Sequence, residues 1–403
     1  VTETGLYARY REALREEDLP AAAVDLDALE RNVDTLVTAV RAAGKTLRVA
    51  SKSIRCVALI RAVFARGGPA VRGVMAFSPA EACFLSTQGF SDILVAYPTA
   101  LPRDARLVAA AVRAGASIVL VADAVEHVAA ASAAAAEAGV RIGMVVDVDV
   151  SYRPLGDRLH VGVRRSPLRE PEAVAALAER IARDPHLTFA GLQAYEAHLA
   201  GIPDVEPLAP VAAAAKRALK DRARGPVRAQ RRAILDELSR RGIAVPLFNG
   251  GGSGSVAWSA ADPALTEVAA GSGFLDSHLF DGYQGLRLQP AAFFALQVTR
   301  RPGPGLVTCQ SGGFIASGAP GPDRLPRPYL PEGLSLLGLE GAGEVQTPLA
   351  VPEGVTLELG DPVIFRHAKA GELAEHFASY ALIRGDRIEA TAPTYRGMGR
   401  CFH

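Results

Sequence analysis

Short apolar runs alternating with longer amphipathic ones are the feature that restricts this chain's fold most. The apolar runs fall at residues 21–26, 47–50, 73–77, 92–97, 117–122, 141–150, 189–195 and 246–248. Helical patterns lie between them: Leu29, Val33, Leu36, Val37 and Val40 mark one face of a helix that Gly44 is placed to stop. Ser78-Pro79-Ala80-Glu81 is a capping box with proline at the first helical position, so a helix starts there. Further helical stretches cover 56–66, 103–114, 124–138, 171–183 and 211–241. Strands that are apolar on both faces and alternate with helices belong to a parallel sheet with helices packed over it. Eight such repeats match a (β/α)8 barrel; an open doubly wound sheet is the competing arrangement and usually has fewer consecutive repeats.

The texture changes after Pro290. Glycine and proline cluster at 302–305 and 317–328, and the apolar period shortens toward two at 355–359, 362–365 and 378–383. Residues 1–290 are therefore expected to form an α/β barrel with an N-terminal arm, and 291–403 a C-terminal β domain. The charged arm, residues 1–19, has no place inside a barrel and is expected to pack on that domain.

In such a barrel, side chains converge on a ligand at the C-terminal ends of the strands. Lys52 follows the run 47–50 at one such end. A lysine at random is a solvated side chain, but lysine is also the residue able to hold an aldehyde as an imine. Asn249-Gly250-Gly251-Gly252-Ser253-Gly254-Ser255 follows the run 246–248. Its glycines allow close backbone approach to an anion and its serines add donors, which suits a phosphate. The Gly-Lys-Ser/Thr end of a P-loop is missing, so a nucleoside triphosphate is not expected. Gly271-Ser272-Gly273 can add donors to the same anion. Gln193-Ala194-Tyr195-Glu196-Ala197-His198 ends another strand, where alternation points Gln193 and Tyr195 to one face and Ala194 and Glu196 to the other. Asp147 and Asp149 end the longest run, where carboxylates can bind a cation; the favoured reading makes them ion-pair partners of Arg153, Arg158, Arg164 or Arg165. His367, Glu372 and His376 match no metal-ligand spacing, so no metal site is assigned.

Several classes drop out. The net charge is +1, which offers nothing to nucleic acid or an anionic membrane. The four cysteines, Cys56, Cys83, Cys309 and Cys401, form no framework and fit a reducing cytoplasm. Residues 1–20 are polar and charged, so no signal peptide is expected. The alanine-rich stretch 124–138 is broken by Glu126, His127 and Glu137 and cannot cross a membrane.

Taken in order, these segments resemble the fold-type III pyridoxal-phosphate enzymes. That superfamily contains the alanine racemases and, closer to this chain, the D-threonine aldolase and D-serine dehydratase group, especially sequences of the amino acid deaminase/aldolase type. The resemblance runs from Leu19-Pro20-Ala21 and Asp25-Leu26-Asp27 through Val49-Ala50-Ser51-Lys52-Ser53 and Ile93-Leu94-Val95-Ala96-Tyr97-Pro98. It continues through Gly191-Leu192-Gln193, the glycine loop and His367-Ala368-Lys369-Ala370-Gly371-Glu372. It implies that Lys52 holds pyridoxal 5'-phosphate as an imine and that Gly250, Gly251, Gly252 and Ser253 hold the phosphate. It also implies that Tyr195 lies by the cofactor, that His198 and Gln193 line the site, that Tyr283 approaches the phosphate, and that the enzyme is a homodimer. The implied reaction is Cα–Cβ cleavage of a β-hydroxy-α-amino acid, with His198 or His367 as the base. β-Elimination with deamination and racemisation are the alternatives within the family. A pyridoxal-phosphate homeostasis protein and a cofactor-free phosphate-sugar barrel enzyme are the alternatives outside it.

Two departures stand out. His160-Val161-Gly162-Val163 occupies the place of the family's Arg-x-Gly-Val segment, leaving Arg153, Arg158 or Arg164 as substitutes for the arginine that meets the cofactor ring. Metal-dependent relatives carry a histidine followed two residues later by aspartate or cysteine. Here His367 is followed by Lys369, which argues against a divalent metal unless Glu372 or His376 replaces the lost ligand.

Overall fold

A computed structural model describes residues 3–205 and 209–402. β1 (Ala21–Asp25) precedes the strands β2 (Thr46–Ala50), β3 (Val71–Ala76), β4 (Ile93–Val95), β5 (Ile118–Ala122) and β6 (Ile142–Asp147). A short exposed strand β7 (Pro154–Asp157) is followed by β8 (Leu187–Ala194), β9 (Leu247–Gly250) and β10 (Glu267–Ala270). The closed barrel runs β10-β2-β3-β4-β5-β6-β8-β9. β10 closes it, setting Val268 beside Leu47 on one side and Gly250 on the other, parallel to both neighbours.

The barrel therefore has eight strands, but not the eight expected. The run 21–26 leaves it, and Glu267–Ala270 enters as the last strand. β1 pairs instead with two strands of the C-terminal sheet, antiparallel to β11 (Ala292–Gly303) and parallel to β17 (Ser379–Arg384). β1 is buried on both faces, so its apolar run reads the same in either sheet. The other strands of this nine-stranded sheet are β12 (Leu306–Gln310), β13 (Arg327–Leu330), β14 (Ser335–Leu336), β15 (Gln346–Ala350), β16 (Pro362–Arg366) and β18 (Arg387–Pro393).

The arm is a helix, Glu3–Ala13, on this sheet. Tyr10 packs its ring 4.4 Å from that of Phe293 and donates to Asp25 Oδ2 at 2.8 Å. Asp25 also caps the following helix, Leu26–Ala42, by accepting from the Ala28 amide at 3.0 Å. Barrel and sheet are joined at buried polar contacts: Tyr395 Oη donates to Glu81 Oε1 at 2.9 Å, and Arg55 pairs with Glu375. Gly371, at φ +85°, lies so close to the Lys52 carbonyl oxygen that a Cβ would overlap it.

Candidate active site

Lys52 sits in a single 3-10 turn, Ser51–Ser53, that breaks away from β2 at its C-terminal end. Ser51 ties the turn to β3 by donating to the Met75 carbonyl at 2.9 Å, and Arg55 Nε donates to the Lys52 carbonyl at 3.0 Å. The lysine side chain is left free to enter a cavity of about 520 Å³ at this mouth of the barrel. There Lys52 Nζ lies 3.1 Å from Tyr97 Oη, just past β4. Burial alone would raise the Tyr97 pKa, but the charge and hydrogen bond of Lys52, helped by Arg165, outweigh it and hold the phenol below its ordinary value.

Gln193 and Tyr195 line the cavity, as alternation along β8 requires. Gln193 Nε2 donates to Asp147 Oδ1 at 3.1 Å, and Arg165 approaches Asp147 Oδ2 at 3.3 Å. Burial pushes the Asp147 carboxyl up to about 6 despite the arginine beside it. Arg165 also donates to the Ala96 carbonyl at 3.0 Å and spreads its guanidinium over Tyr97 and Tyr195, 5.3 and 5.9 Å from the ring centres. Burial raises the Tyr195 phenol to about 12.

Gly251, Gly252, Ser253, Gly271, Ser272 and Tyr283 line the same cavity. Ser253 Oγ accepts from the amides of Gly271 and Gly273 at 3.2 and 2.9 Å, so the two glycine segments are bonded to each other. Ser53 and Ser272 bring their hydroxyls within 3.3 Å. Added Cβ atoms would strike Tyr195 from Gly252, Tyr283 from Gly254 and Ser53 from Gly271, so the glycines make a tight backbone cradle. Behind it, fully buried Glu196 accepts from the Gly251 amide at 3.0 Å and from the hydroxyls of Ser255 and Ser259, and pairs with Arg231. Burial opposes ionisation of Glu196, but Arg231 and these donors hold its pKa below the ordinary value. A phosphorylated aromatic aldehyde suits this set: a lysine amine is able to hold an aldehyde, aromatic and guanidinium faces border the same cavity, and serine hydroxyls and bare backbone offer donors to a phosphate.

Four expected residues lie off this cavity. Gly250 is inside β9, facing Arg231 and Leu265. His198 is buried outside the cavity lining, its Nδ1 near Gly162; burial lowers its pKa to about 4. His367 and His376 border a small adjoining pocket with Phe314, Lys369 and Glu372. Burial, then the neighbouring Arg366, takes His367 down to about 3. Glu372 does reach the main cavity, but its carboxylate accepts from the Ser317 amide at 2.8 Å and pairs with Lys369. Among the described residues, no three of His, Cys, Asp and Glu are grouped to hold a metal ion.

Sequence reasoning also missed residues. Tyr97 ends β4 as Lys52 ends β2, a signal available in the strand pattern. Arg165 was expected only as an ion-pair partner of Asp147 or Asp149, and it does pair with Asp147; its place in the cavity wall was not expected, while Arg153 turns away to Asp149 and Asp157. None of Arg153, Arg158 and Arg164 lines the cavity. Lys369, Asp323 and Arg324 come from the C-terminal domain and complete its rim.

The chain is 29% identical over 259 residues to a 3-hydroxy-D-aspartate aldolase of Paracoccus denitrificans, a match covering 64% of this chain and 60% of that protein. It is 27% identical over 300 residues to a D-threonine aldolase of Arthrobacter sp, covering 73% and 72%. Among solved structures, D-threonine aldolase from Filomicrobium marinum superposes with a TM-score of 0.78 at 20% identity, covering 94% of this chain and 95% of that one. D-threo-3-hydroxyaspartate dehydratase from Delftia sp. HT23 gives 0.73 at 21%, covering 95% and 98%. At these identities the superpositions establish a shared fold. Residues 24–275, more than half of the chain, match the family described as alanine racemase, N-terminal domain, and the protein belongs to that family of fold-type III pyridoxal-phosphate proteins.

Proposed function

We propose that this protein is a pyridoxal-phosphate-dependent lyase that cleaves, or in reverse forms, the Cα–Cβ bond of β-hydroxy-D-amino acids. The observation that carries the reading is the Lys52 amine, 3.1 Å from Tyr97 Oη, sharing one cavity with the serine and glycine cradle. The two aldolase relatives support the reaction class and the D configuration. Pyridoxal phosphate, when bound, supplies an electron sink for the pair released at Cα.

Lys52 is assigned to hold the cofactor. Gly251, Gly252, Ser253, Gly271 and Ser272 are assigned to its phosphate, with Tyr283 behind them. Gln193, Tyr195 and Arg165 wall the middle of the site. With a substrate amine in its place on the cofactor, Lys52 would stand free beside Tyr97, and this pair would be positioned to take the β-hydroxyl proton. The O–H pair becomes the new C=O as Cα–Cβ breaks, and a proton delivered to Cα completes glycine beside the aldehyde. His198 and His367 lie outside the main cavity and are left with supporting roles. A homodimer is proposed from the resemblance; a cytoplasmic location is also proposed, in keeping with four free cysteines.

The deciding experiment follows D-threonine in D2O with added pyridoxal phosphate by proton NMR. Glycine and acetaldehyde are expected; 2-oxobutanoate with ammonia would reassign the protein as a deaminating dehydratase, and threonine epimers as a racemase. Borohydride should fix one cofactor per chain on Lys52, and Lys52→Ala should lose both the visible chromophore and turnover. A chromophore that survives that substitution overturns the site.

A further inference from the structure

We propose that Lys369 supplies the substrate-facing cation of this site, and that the protein works without a divalent metal. The proposal rests on the lyase reading above for the identity of the substrate.

Lys369 lies in the segment that follows β16, and this segment is locked against the catalytic turn because Gly371 leaves no room for a Cβ beside the Lys52 carbonyl. Lys369 and Lys52 therefore share one cavity in a fixed relation. The Lys369 Nζ donates to Ser317 Oγ at 2.8 Å and lies 3.3 Å from Glu372 Oε1, with 47% of the side chain exposed. An ammonium has three N–H donors. Two are engaged on the wall and hold the group in place, which leaves one for a substrate oxygen.

The same contacts work against a metal. Its candidate ligands, His367, Glu372 and His376, border the small pocket that Lys369 also borders. A divalent ion on Glu372 would face an ammonium already paired with that carboxylate, and like charges at such separation repel strongly in a partly desolvated site. Glu372 is further committed to the amide and hydroxyl of Ser317. The His376 ring is packed 4.9 Å from that of Phe314. Both nitrogens of His367 are buried without a hydrogen-bond partner among the described residues, yet the adjoining cation is a lysine of this chain. A fixed positive charge beside an oxygen that gains negative charge is what a Lewis acid would otherwise contribute.

The test uses holoenzyme dialysed against chelator. Calorimetric titration with Mn2+ should show no saturable binding, and turnover of D-threonine or 3-hydroxy-D-aspartate should be the same with EDTA and with added Mn2+. Lys369→Met should keep the cofactor absorbance and melting temperature while kcat/KM falls by about 10²-fold or more, the scale for losing one preorganised charge donor. Lys369→Gln, which preserves a hydrogen bond to the wall, guards against a folding defect in the first variant and should lose activity similarly. Lys369→Asp should create calorimetric Mn2+ binding that the wild type lacks. One tightly bound Mn2+ per wild-type chain, or an unchanged kcat/KM in Lys369→Met, overturns the proposal. Should neither amino acid turn over, the lyase reading fails separately. The Mn2+ titration still decides the metal question, and the change in cofactor absorbance on adding each amino acid, compared between wild type and Lys369→Met, decides the contact.

Discussion

Lys52 and Tyr97 meet at 3.1 Å, and the lysine changes what the phenol can do. The ammonium outweighs the burial that would raise the Tyr97 pKa, so the phenol ionises more readily than usual. Two expectations follow at this scale. In cofactor-free protein, a tyrosinate absorbance titration should show one phenol ionising below the ordinary value of 10, and Lys52→Ala should move that step upward. An unchanged step would mean that the pair does not form in solution. Tyr97→Phe in holoenzyme should keep the chromophore and lower kcat by about 10²-fold or more, the usual contribution of one positioned proton-transfer group. The lysine was legible in the sequence because the end of a barrel strand is a privileged position. Its partner carries the same positional signal, but an aromatic after an apolar strand is so often core that only the geometry separates the two cases.

At the scale of elements, the glycine loop shows what a motif does not reveal. Asn249 to Ser255 reads in the sequence as an anion cradle, but its folded shape depends on Glu196, one strand away, and on Arg231, in the helix Pro210–Arg240. Arg231 also bonds the Ala194 carbonyl and Asp262, so one buried guanidinium ties β8 to the turn before β10. Glu196→Ala would leave the Gly251 amide and two serine hydroxyls without their acceptor and remove a charge from a fully buried pair. A loss of about 3–5 kcal/mol is expected in denaturant unfolding, together with weaker cofactor binding; Glu196→Gln, which keeps an acceptor oxygen, should lose less. Equal losses would make the charge, rather than the hydrogen bonds, the organising term. Strand assignment was legible in the same partial way. Alternation placed Gln193 and Tyr195 on the cavity face and Glu196 behind, as found. Which apolar run closes the barrel was not legible, because β1 and β10 are both buried on each face and only long-range pairing distinguishes them.

The whole molecule is held together at the seam where the C-terminal sheet meets the barrel, and the seam carries a titratable group. Glu81 lies in the first turn of the helix Pro79–Thr87, accepts from the Phe77 amide at 2.7 Å, and takes the Tyr395 hydroxyl from the sheet side. The capping box visible in the sequence forms only in part: Ser78 Oγ accepts from the Glu81 amide at 3.2 Å, while the Glu81 carboxylate bonds the Phe77 amide rather than that of Ser78. Burial lifts the Glu81 pKa from its ordinary 4.5 to about 7, the hydrogen bonds only moderating that rise. An acid whose pKa is higher in the folded than in the unfolded state binds more protons when folded, so stability is greatest below about 4.5 and falls as pH rises toward 7. One such group contributes a slope of at most ~1.4 kcal/mol per pH unit within that window. Asp147, raised to about 6, and Asp276, raised to about 7, act in the same direction, so Glu81 supplies part of the total. The melting temperature of wild type should therefore decline between pH 5 and 8 more steeply than that of Glu81→Gln, which cannot ionise. Tyr395→Phe removes a donor that favours the charged carboxylate, so its decline should continue to higher pH. Parallel curves for wild type and Glu81→Gln would show that the carboxyl at the seam does not titrate in this range. The Tyr395–Glu81 hydrogen bond would then join the two halves without a pH-dependent contribution, beside apolar packing and the Arg55–Glu375 pair.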